Sequence, residues 1–165
     1  PADMRVSGSG EPTEFAGLYT AADVGVILNF PYNFFVDAGN GLHLTRVRYG
    51  GAVGWNQPLA ERVLAGVEVQ GGFLFDTSGD ITADGFALGR IGLVPTDGLF
   101  VYGEAGVGLL QGKPAFAVGG GLEYALWGSA ALRGEVLGIG ELSTAPAVAG
   151  ISATKVTLGP VWHFD

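Results

Sequence analysis

The chain has 165 residues, of which 48% are hydrophobic and 30 are glycine; it has no cysteine and a net charge of -8. These values fit a single domain and exclude a disulfide framework or a thiolate metal site. Only 8 lysines and arginines are present and they form no basic cluster, which argues against a nucleic-acid partner. The mean hydropathy of +0.37 is high, yet no run of about 18 apolar residues occurs that would form a transmembrane helix.

The chain opens with a polar segment. Residues 1–14 carry Gly, Ser, Pro and charges without apolar periodicity and without the features of a signal peptide. We therefore expect a mature, flexible N-terminal extension of residues 1–14 and a folded domain over residues 15–165.

From Phe15 onward, segments with alternating apolar residues are separated by turn-forming residues. Each is about as long as a tilted strand that crosses a bilayer. The predicted strands, in chain order, are 15–28, 44–56, 62–75, 84–94, 99–110, 115–126, 130–140 and 151–164. Pro160 interrupts the last strand, and we expect a local bulge there.

The alternation separates apolar from charged positions. In the fifth segment Val101, Val107 and Leu109 share one parity, whereas Tyr102 and Glu104 share the other. Apolar residues dispersed over one face of many strands are typical of a barrel whose outer wall faces lipid. The sequence thus predicts an all-β fold, an eight-stranded antiparallel up-and-down transmembrane barrel with a polar, side-chain-filled lumen.

The charges of the inward parity form balanced sets. The acids are Asp23, Glu68, Glu104, Glu123 and Glu135, and the bases are Arg46, Arg48, Arg90, Arg133 and Lys155. Buried charges must be paired. We interpret these residues as a structural salt-bridge network rather than as a proton or ion path.

Aromatic residues cluster at predicted strand ends, as expected for the two interfaces of a membrane. The predicted girdle on the side of the termini consists of Phe15, Trp55, Phe100, Tyr124, Trp127, Trp162 and Phe164. Short connectors at this end and longer ones at the other predict that both termini are periplasmic in a bacterial outer membrane.

Several segments, in this order, resemble one family. FAGLYTAADVG, YGGAVGWN, GGGLEYAL and LRGEVLGIG resemble strands of the small eight-stranded outer-membrane proteins of alphaproteobacteria, called outer-membrane immunogenic or surface-antigen proteins. The closing VTLGPVWHF is similar to the C-terminal strand that the barrel-insertion machinery reads. The resemblance implies that outer-membrane lipid, lipopolysaccharide and this machinery are partners.

The two histidines and an acidic segment are further candidate sites. His43 and His163 lie at opposite predicted ends, where each is interpreted as a rim residue, so they cannot share a metal or catalytic centre. Asp76, Asp80 and Asp84 recur at every fourth position, which we interpret as a solvated acidic loop. We expect no enzyme activity and no cofactor.

Two segments are candidates for binding another envelope protein or peptidoglycan. The loop with Tyr32, Phe34 and Phe35 presents more apolar surface than a solvated loop usually does. Ala2 and Asp3 match the N-terminal pattern of related barrels that are joined to peptidoglycan. The predicted function is a structural barrel for envelope integrity or surface interaction; a narrow pore and a soluble lipocalin-like binder remain alternatives.

Overall fold

The computed structural model describes residues 12–29, 44–142 and 150–164. A short 3-10 helix, Pro12–Phe15, precedes eight strands that close into one antiparallel barrel, each pairing with its sequence neighbours and the last with the first. The strands are β1 Gly17–Asn29, β2 Leu44–Ala60, β3 Val63–Phe75, β4 Ile81–Thr96, β5 Leu99–Leu110, β6 Lys113–Trp127, β7 Ala130–Glu141 and β8 Ala153–Phe164. The predicted fold class is confirmed. No helix in the described part of the chain is long and apolar enough to cross a membrane.

The strands alternate between an apolar outer face and a charged inner face. Val107 and Leu122 are 55% and 48% exposed, whereas Glu104 and Glu123 are 4% and 0% exposed. Because side chains of successive strand residues point to opposite faces, one parity supplies the outer wall and the other fills the lumen.

The lumen contains two apolar clusters with charged residues between them. We call the end where β1 begins and β8 ends the terminal end, and the opposite one the far end. The cluster at the terminal end includes Phe15, Tyr19, Leu64, Phe100, Tyr102 and Val161. The cluster at the far end includes Ile27, Leu74, Phe86, Leu88, Leu137 and Ile139. The charged side chains are thereby shielded from solvent at both ends.

Tight turns connect the strands at the terminal end. Residues 61–62, 97–98 and 128–129 are the whole of three connectors, because β2, β4 and β6 extend further than the sequence predicted. At the far end, β5 and β6 are joined by Gln111 and Gly112, both with positive φ (54° and 76°). This backbone is that of a type I′ turn, whose twist matches that of a hairpin.

The pairing of β1 with β8 is interrupted opposite Pro160. The paired residues run from Leu18 with Phe164 to Ala21 with Val161, and pairing resumes at Val24 with Leu158 in the same register. The predicted bulge is therefore wrong. Proline has no N–H to donate, so the ladder omits this stretch without an inserted residue.

The inner wall requires glycine where strands approach closely. A Cβ added to Gly106 would overlap the main-chain oxygen of Ala87, whereas one added to the outward Gly103 would lie 3.7 Å from its nearest neighbour, Gly119 O. We expect Gly106→Ala to lower the free energy of unfolding by about 1–3 kcal/mol, because the backbone must shift. Gly103→Ala is the matched control, and denaturant titration in micelles compares the two. Equal stability of the two variants would contradict the close approach.

Candidate functional site: the charged layer of the lumen

The charged layer begins on the far-end side with Arg48 of β2. Its Nε and Nη2 donate to the two carboxylate oxygens of Asp84 at 2.6 and 3.0 Å, and its Nη1 pairs with Asp23. Arg48 is fully buried and the side chains of both acids are nearly so. This bidentate arrangement holds the planar guanidinium in one orientation between β1 and β4.

Glu68 of β3 is an acceptor shared by several donors. Its Oε2 accepts from Tyr19 Oη, from Arg133 Nη1 at 2.5 Å and from Arg90 Nη1 at 3.1 Å. Its Oε1 accepts from Gln70 Nε2 at 2.6 Å. A carboxylate with this many donors is compensated for the loss of water.

Arg90 lies among aromatic rings as well as acids. Its Nη2 donates to Glu123 Oε1 at 2.7 Å, and its Cζ lies 4.6 Å from the ring centroid of Tyr19 and 4.3 Å from that of Tyr102. Such cation–π contacts contribute most where water is excluded. Arg90 therefore joins the charged layer to the apolar cluster at the terminal end.

The side-chain amide of Gln70 connects Glu68 to a further acid and to a base. Gln70 Nε2 donates to Glu135 Oε1 at 2.8 Å as well as to Glu68, and Gln70 Oε1 accepts from Lys155 Nζ at 2.5 Å. The hydroxyl of Tyr102 donates to Glu135 Oε2 at 2.9 Å. These bonds fix the positions of Glu68 and Glu135 relative to each other.

Glu104 of β5 differs from the other acids of the layer. Both of its carboxylate oxygens are buried and lack a hydrogen-bond partner among the described residues. Arg90 is its direct cross-strand partner in the register, but the guanidinium reaches Glu68 and Glu123 instead.

The structure brings most of the predicted inward charges into this layer. Arg46 is the exception, because it is half-buried, its Nη1 lies 3.5 Å from Thr82 Oγ1, and it forms no salt bridge within the part of the chain that the structure describes. Asp84, predicted to lie in a solvated loop, is instead buried against Arg48. That assignment was wrong because β4 begins at Ile81, so Asp84 is a strand residue of inward parity.

Two members of the predicted girdle lie inside the barrel. Phe15, in the 3-10 helix, and Phe100, of inward parity, are both fully buried and stack at 5.6 Å. Their assignment to the outer surface was wrong. The other five are on the outside, where their exposed fractions range from 41% to 75%: Trp55, Tyr124, Trp127, Trp162 and Phe164.

His163 is another residue whose position differs from the interpretation. It is buried rather than at the rim, and its Nε2 lies 3.0 Å from Glu123 Oε2. Its inward parity, shared with Lys155 and Thr157, was the signal for this position.

Several predicted residues lie outside the described ranges. They are Ala2, Asp3, Tyr32, Phe34, Phe35 and His43. The predicted extension of residues 1–14 also falls largely outside them, and within it Pro12 and the residues after it form the 3-10 helix.

Asp76 stabilises the turn between β3 and β4 by accepting hydrogen bonds within it. Asp76 Oδ1 accepts from Ser78 Oγ at 2.6 Å, Ser78 N at 2.8 Å and Asp80 N at 3.0 Å. These bonds, with that from the Ser78 hydroxyl the largest, hold the pKa of Asp76 below its ordinary value.

We expect Ser78→Ala to raise the pKa of Asp76 toward its ordinary value, with Thr77→Ala as the control. Because the folded-state pKa is the lower one, the contribution of Asp76 to stability is present above the unfolded-state pKa. It is lost as the pH falls through the folded-state pKa. An NMR pH titration of the Asp76 carboxyl measures the change, and an identical midpoint in Ser78→Ala and wild type would disprove the role of Ser78.

Solved structures share the fold. A designed transmembrane β-barrel is 16% identical with a TM-score of 0.55, and the match covers 89% of this chain and 94% of that one. The outer-membrane protein Ail of Yersinia pestis, in a phospholipid bilayer nanodisc, is 12% identical with a TM-score of 0.50, covering 90% of this chain and 99% of that one. No protein-family model and no curated protein matches the chain. At these identities the similarity shows the barrel fold, and the resemblance to the alphaproteobacterial family stays a prediction.

Proposed function

We propose that this chain is a structural outer-membrane barrel, without catalytic activity, that supports envelope integrity or surface interactions. The observation that carries the proposal is the inverted distribution of side chains. Large apolar residues are exposed on the outer face of every strand, while acidic and basic side chains are buried against one another in the lumen. In water so large an apolar surface would be unfavourable by about 25 cal/mol per Å².

The same distribution argues against a soluble lipocalin-like binder. Such a barrel holds its ligand in an apolar interior and presents polar residues to water. Here the middle of the lumen contains Arg48, Arg90, Glu68 and Glu123 in contact with one another or with other charged groups.

The exposed rings support lipid and lipopolysaccharide as partners. Trp55, Trp127 and Trp162 lie on the outer surface at the terminal end, where amphipathic rings favour the boundary between acyl chains and headgroups. The short turns at this end support an orientation with both termini in the periplasm, since periplasmic turns of such barrels are short. The barrel-insertion machinery would then act on β8.

The interior favours a closed barrel over a narrow pore. Phe15, Phe100 and Leu64 are fully buried on the terminal-end side of the charged layer, and Leu74 and Leu137 are fully buried on the far-end side. In planar bilayers we expect the protein to insert without conductance steps. Reproducible unitary steps would favour the pore.

Detergent dependence tests membrane residence. We expect the refolded chain to be monodisperse in micelles or vesicles and to aggregate when the detergent is removed, because the apolar wall then faces water. A monodisperse, folded protein in buffer without detergent would contradict the proposal.

A partner in the envelope is a separate part of the proposal. The loop with Tyr32, Phe34 and Phe35 is the candidate for an envelope-protein contact, and Ala2 with Asp3 for peptidoglycan. Purification from native membranes in mild detergent, followed by identification of co-purifying proteins and muropeptides, tests both. A barrel that purifies alone and unmodified would argue against both.

A further inference from the structure

The ions enclosed in the lumen do not balance. Among the described residues, six acids have buried side chains: Asp23, Glu68, Asp84, Glu104, Glu123 and Glu135. Four bases accompany them: Arg48, Arg90, Arg133 and Lys155. If the acids are ionised and His163 is neutral, the excess is two negative charges, and a protonated His163 beside Glu123 would leave one. Uncompensated charge in a region closed off from water is strongly unfavourable.

The excess is located at Glu104. The other five acids contact a base or accept hydrogen bonds from neutral donors. Glu104 is 4% exposed, and neither of its oxygens has a hydrogen-bond partner among the described residues. Its carboxylate therefore has an oxygen that no donor among the described residues occupies, and this oxygen lies near two other carboxylates.

The carboxylates of two other residues lie close to that of Glu104. One oxygen from each of Glu68, Glu104 and Glu135 lies within 4.8 Å of the other two. These residues belong to β3, β5 and β7. Gln70 and Tyr19 hold Glu68 in place, and Gln70 and Tyr102 hold Glu135. Calcium binds carboxylate oxygens at about 2.3–2.6 Å, so oxygens on opposite sides of one ion can be about 5 Å apart.

We propose that Glu104, together with Glu68 and Glu135, binds one divalent cation of calcium size in the lumen. The ion supplies the positive charge that the bases lack and gives Glu104 the partner it otherwise does not have. Glu104 provides the free ligand, while Glu68 and Glu135 add one oxygen each beside the bonds they already make. A cation site in the lumen goes beyond the proposed structural function.

The enclosed position of the site determines when the ion binds and how fast it exchanges. The charged layer lies between the two apolar clusters, so an ion bound there is acquired during folding and exchanges slowly afterwards. Binding to the folded state alone also raises the stability of the barrel, by mass action.

The test refolds the full chain into micelles from urea, in chelator-treated buffer with or without calcium chloride. Free metal is removed by gel filtration, bound calcium is counted by elemental mass spectrometry, and the melting temperature is measured. We expect about one calcium per wild-type barrel and a higher melting temperature with calcium. A parallel refolding with magnesium chloride should give less retained metal, because Mg²⁺ requires shorter, near-octahedral coordination.

Glu104→Gln is the matched variant, since it keeps the side-chain size but removes the charge. We expect it to retain at least about tenfold less calcium and to show no change of melting temperature with calcium. Glu141→Gln, which changes an exposed carboxylate of the Lys113 pair, should behave as wild type.

Wild-type barrels that refold without retaining calcium and melt at the same temperature with and without it would overturn the proposal. The neutral partner of Glu104 would then be a proton. Equal retention by Glu104→Gln and wild type would overturn it as well. If Glu104→Gln does not refold, the wild-type count and its melting temperatures decide alone. Failure of this test would leave membrane residence untouched, because all arms are scored on folded barrels in micelles.

Discussion

Replacing Arg48 with methionine is expected to destabilise the barrel by about 3–5 kcal/mol, the cost of removing one partner from a buried ion group. Methionine keeps much of the length of the side chain but none of its charge or donors. Asp23 and Asp84 then remain in the lumen without the guanidinium that both contact. Asp84 loses the bidentate bond, which is the most restrictive contact it has.

Lys113→Met is the control for this loss. Lys113 pairs with Glu141 at 3.3 Å, but the two side chains are 69% and 61% exposed. A surface pair of this kind contributes about 0–1 kcal/mol. Unfolding in denaturant can be followed by tryptophan fluorescence. If Arg48→Met and Lys113→Met lower the free energy of unfolding by amounts that agree within about 1 kcal/mol, the buried Arg48 contacts contribute no more than a surface ion pair.

Val69→Arg is expected to cost about 2–4 kcal/mol in a bilayer, because it places a charge at the middle of the lipid-facing wall. Val69 is the central residue of β3 and is 63% exposed. Leu59, next to the end of β2, is 60% exposed, and Leu59→Arg should cost only about 0–1 kcal/mol near the interface.

Comparing Val69→Arg with Leu59→Arg distinguishes the effect of depth in the bilayer from the effect of side-chain exposure. In water the two substitutions would have similar effects, because both residues are exposed to a similar degree. In vesicles only Val69→Arg should reduce folding efficiency and stability strongly. Equal, small losses in vesicles would contradict a membrane-spanning wall, whatever the fold.

Strand number, order and parity could be predicted because a strand repeats every two residues and the apolar parity is continuous over each segment. Asp84 was missed for a local reason. It was the first residue of the predicted strand 84–94, and an aspartate before Gly85 at a strand end is typical of a turn. The pairing with β3 that extends β4 back to Ile81, and so places Asp84 within the strand, is not visible in the sequence.

The misplaced aromatic residues have a different explanation. Phe100 shares its parity with Tyr102 and Glu104, so the alternation itself indicated the lumen. The preference of aromatic residues for strand ends was given more weight than parity. Phe15 precedes the first strand, and the 3-10 helix that turns it into the barrel has no periodic signal in the sequence.

The pairing of individual charges lay beyond prediction. Neighbouring strands place Arg90 opposite Glu104, and register alone would pair them. The guanidinium instead reaches Glu68, its diagonal neighbour on β3, and Glu123 on β6, two strands away, which comes within reach because the sheet curves into a barrel. That Glu104 has no partner among the described residues therefore follows from the three-dimensional arrangement of the strands and not from their order.

The interrupted pairing opposite Pro160 has a consequence for how the barrel opens. The β1–β8 contact is the one joint of the barrel between strands that are not consecutive in the chain, and its formation closes a loop of nearly the whole chain. With a donor missing at its centre, this joint has fewer backbone bonds to break than the hairpins do. Transient separation should therefore start here, and the amides of Ala22 and the residues beside it should exchange with solvent before those of the β3–β4 hairpin.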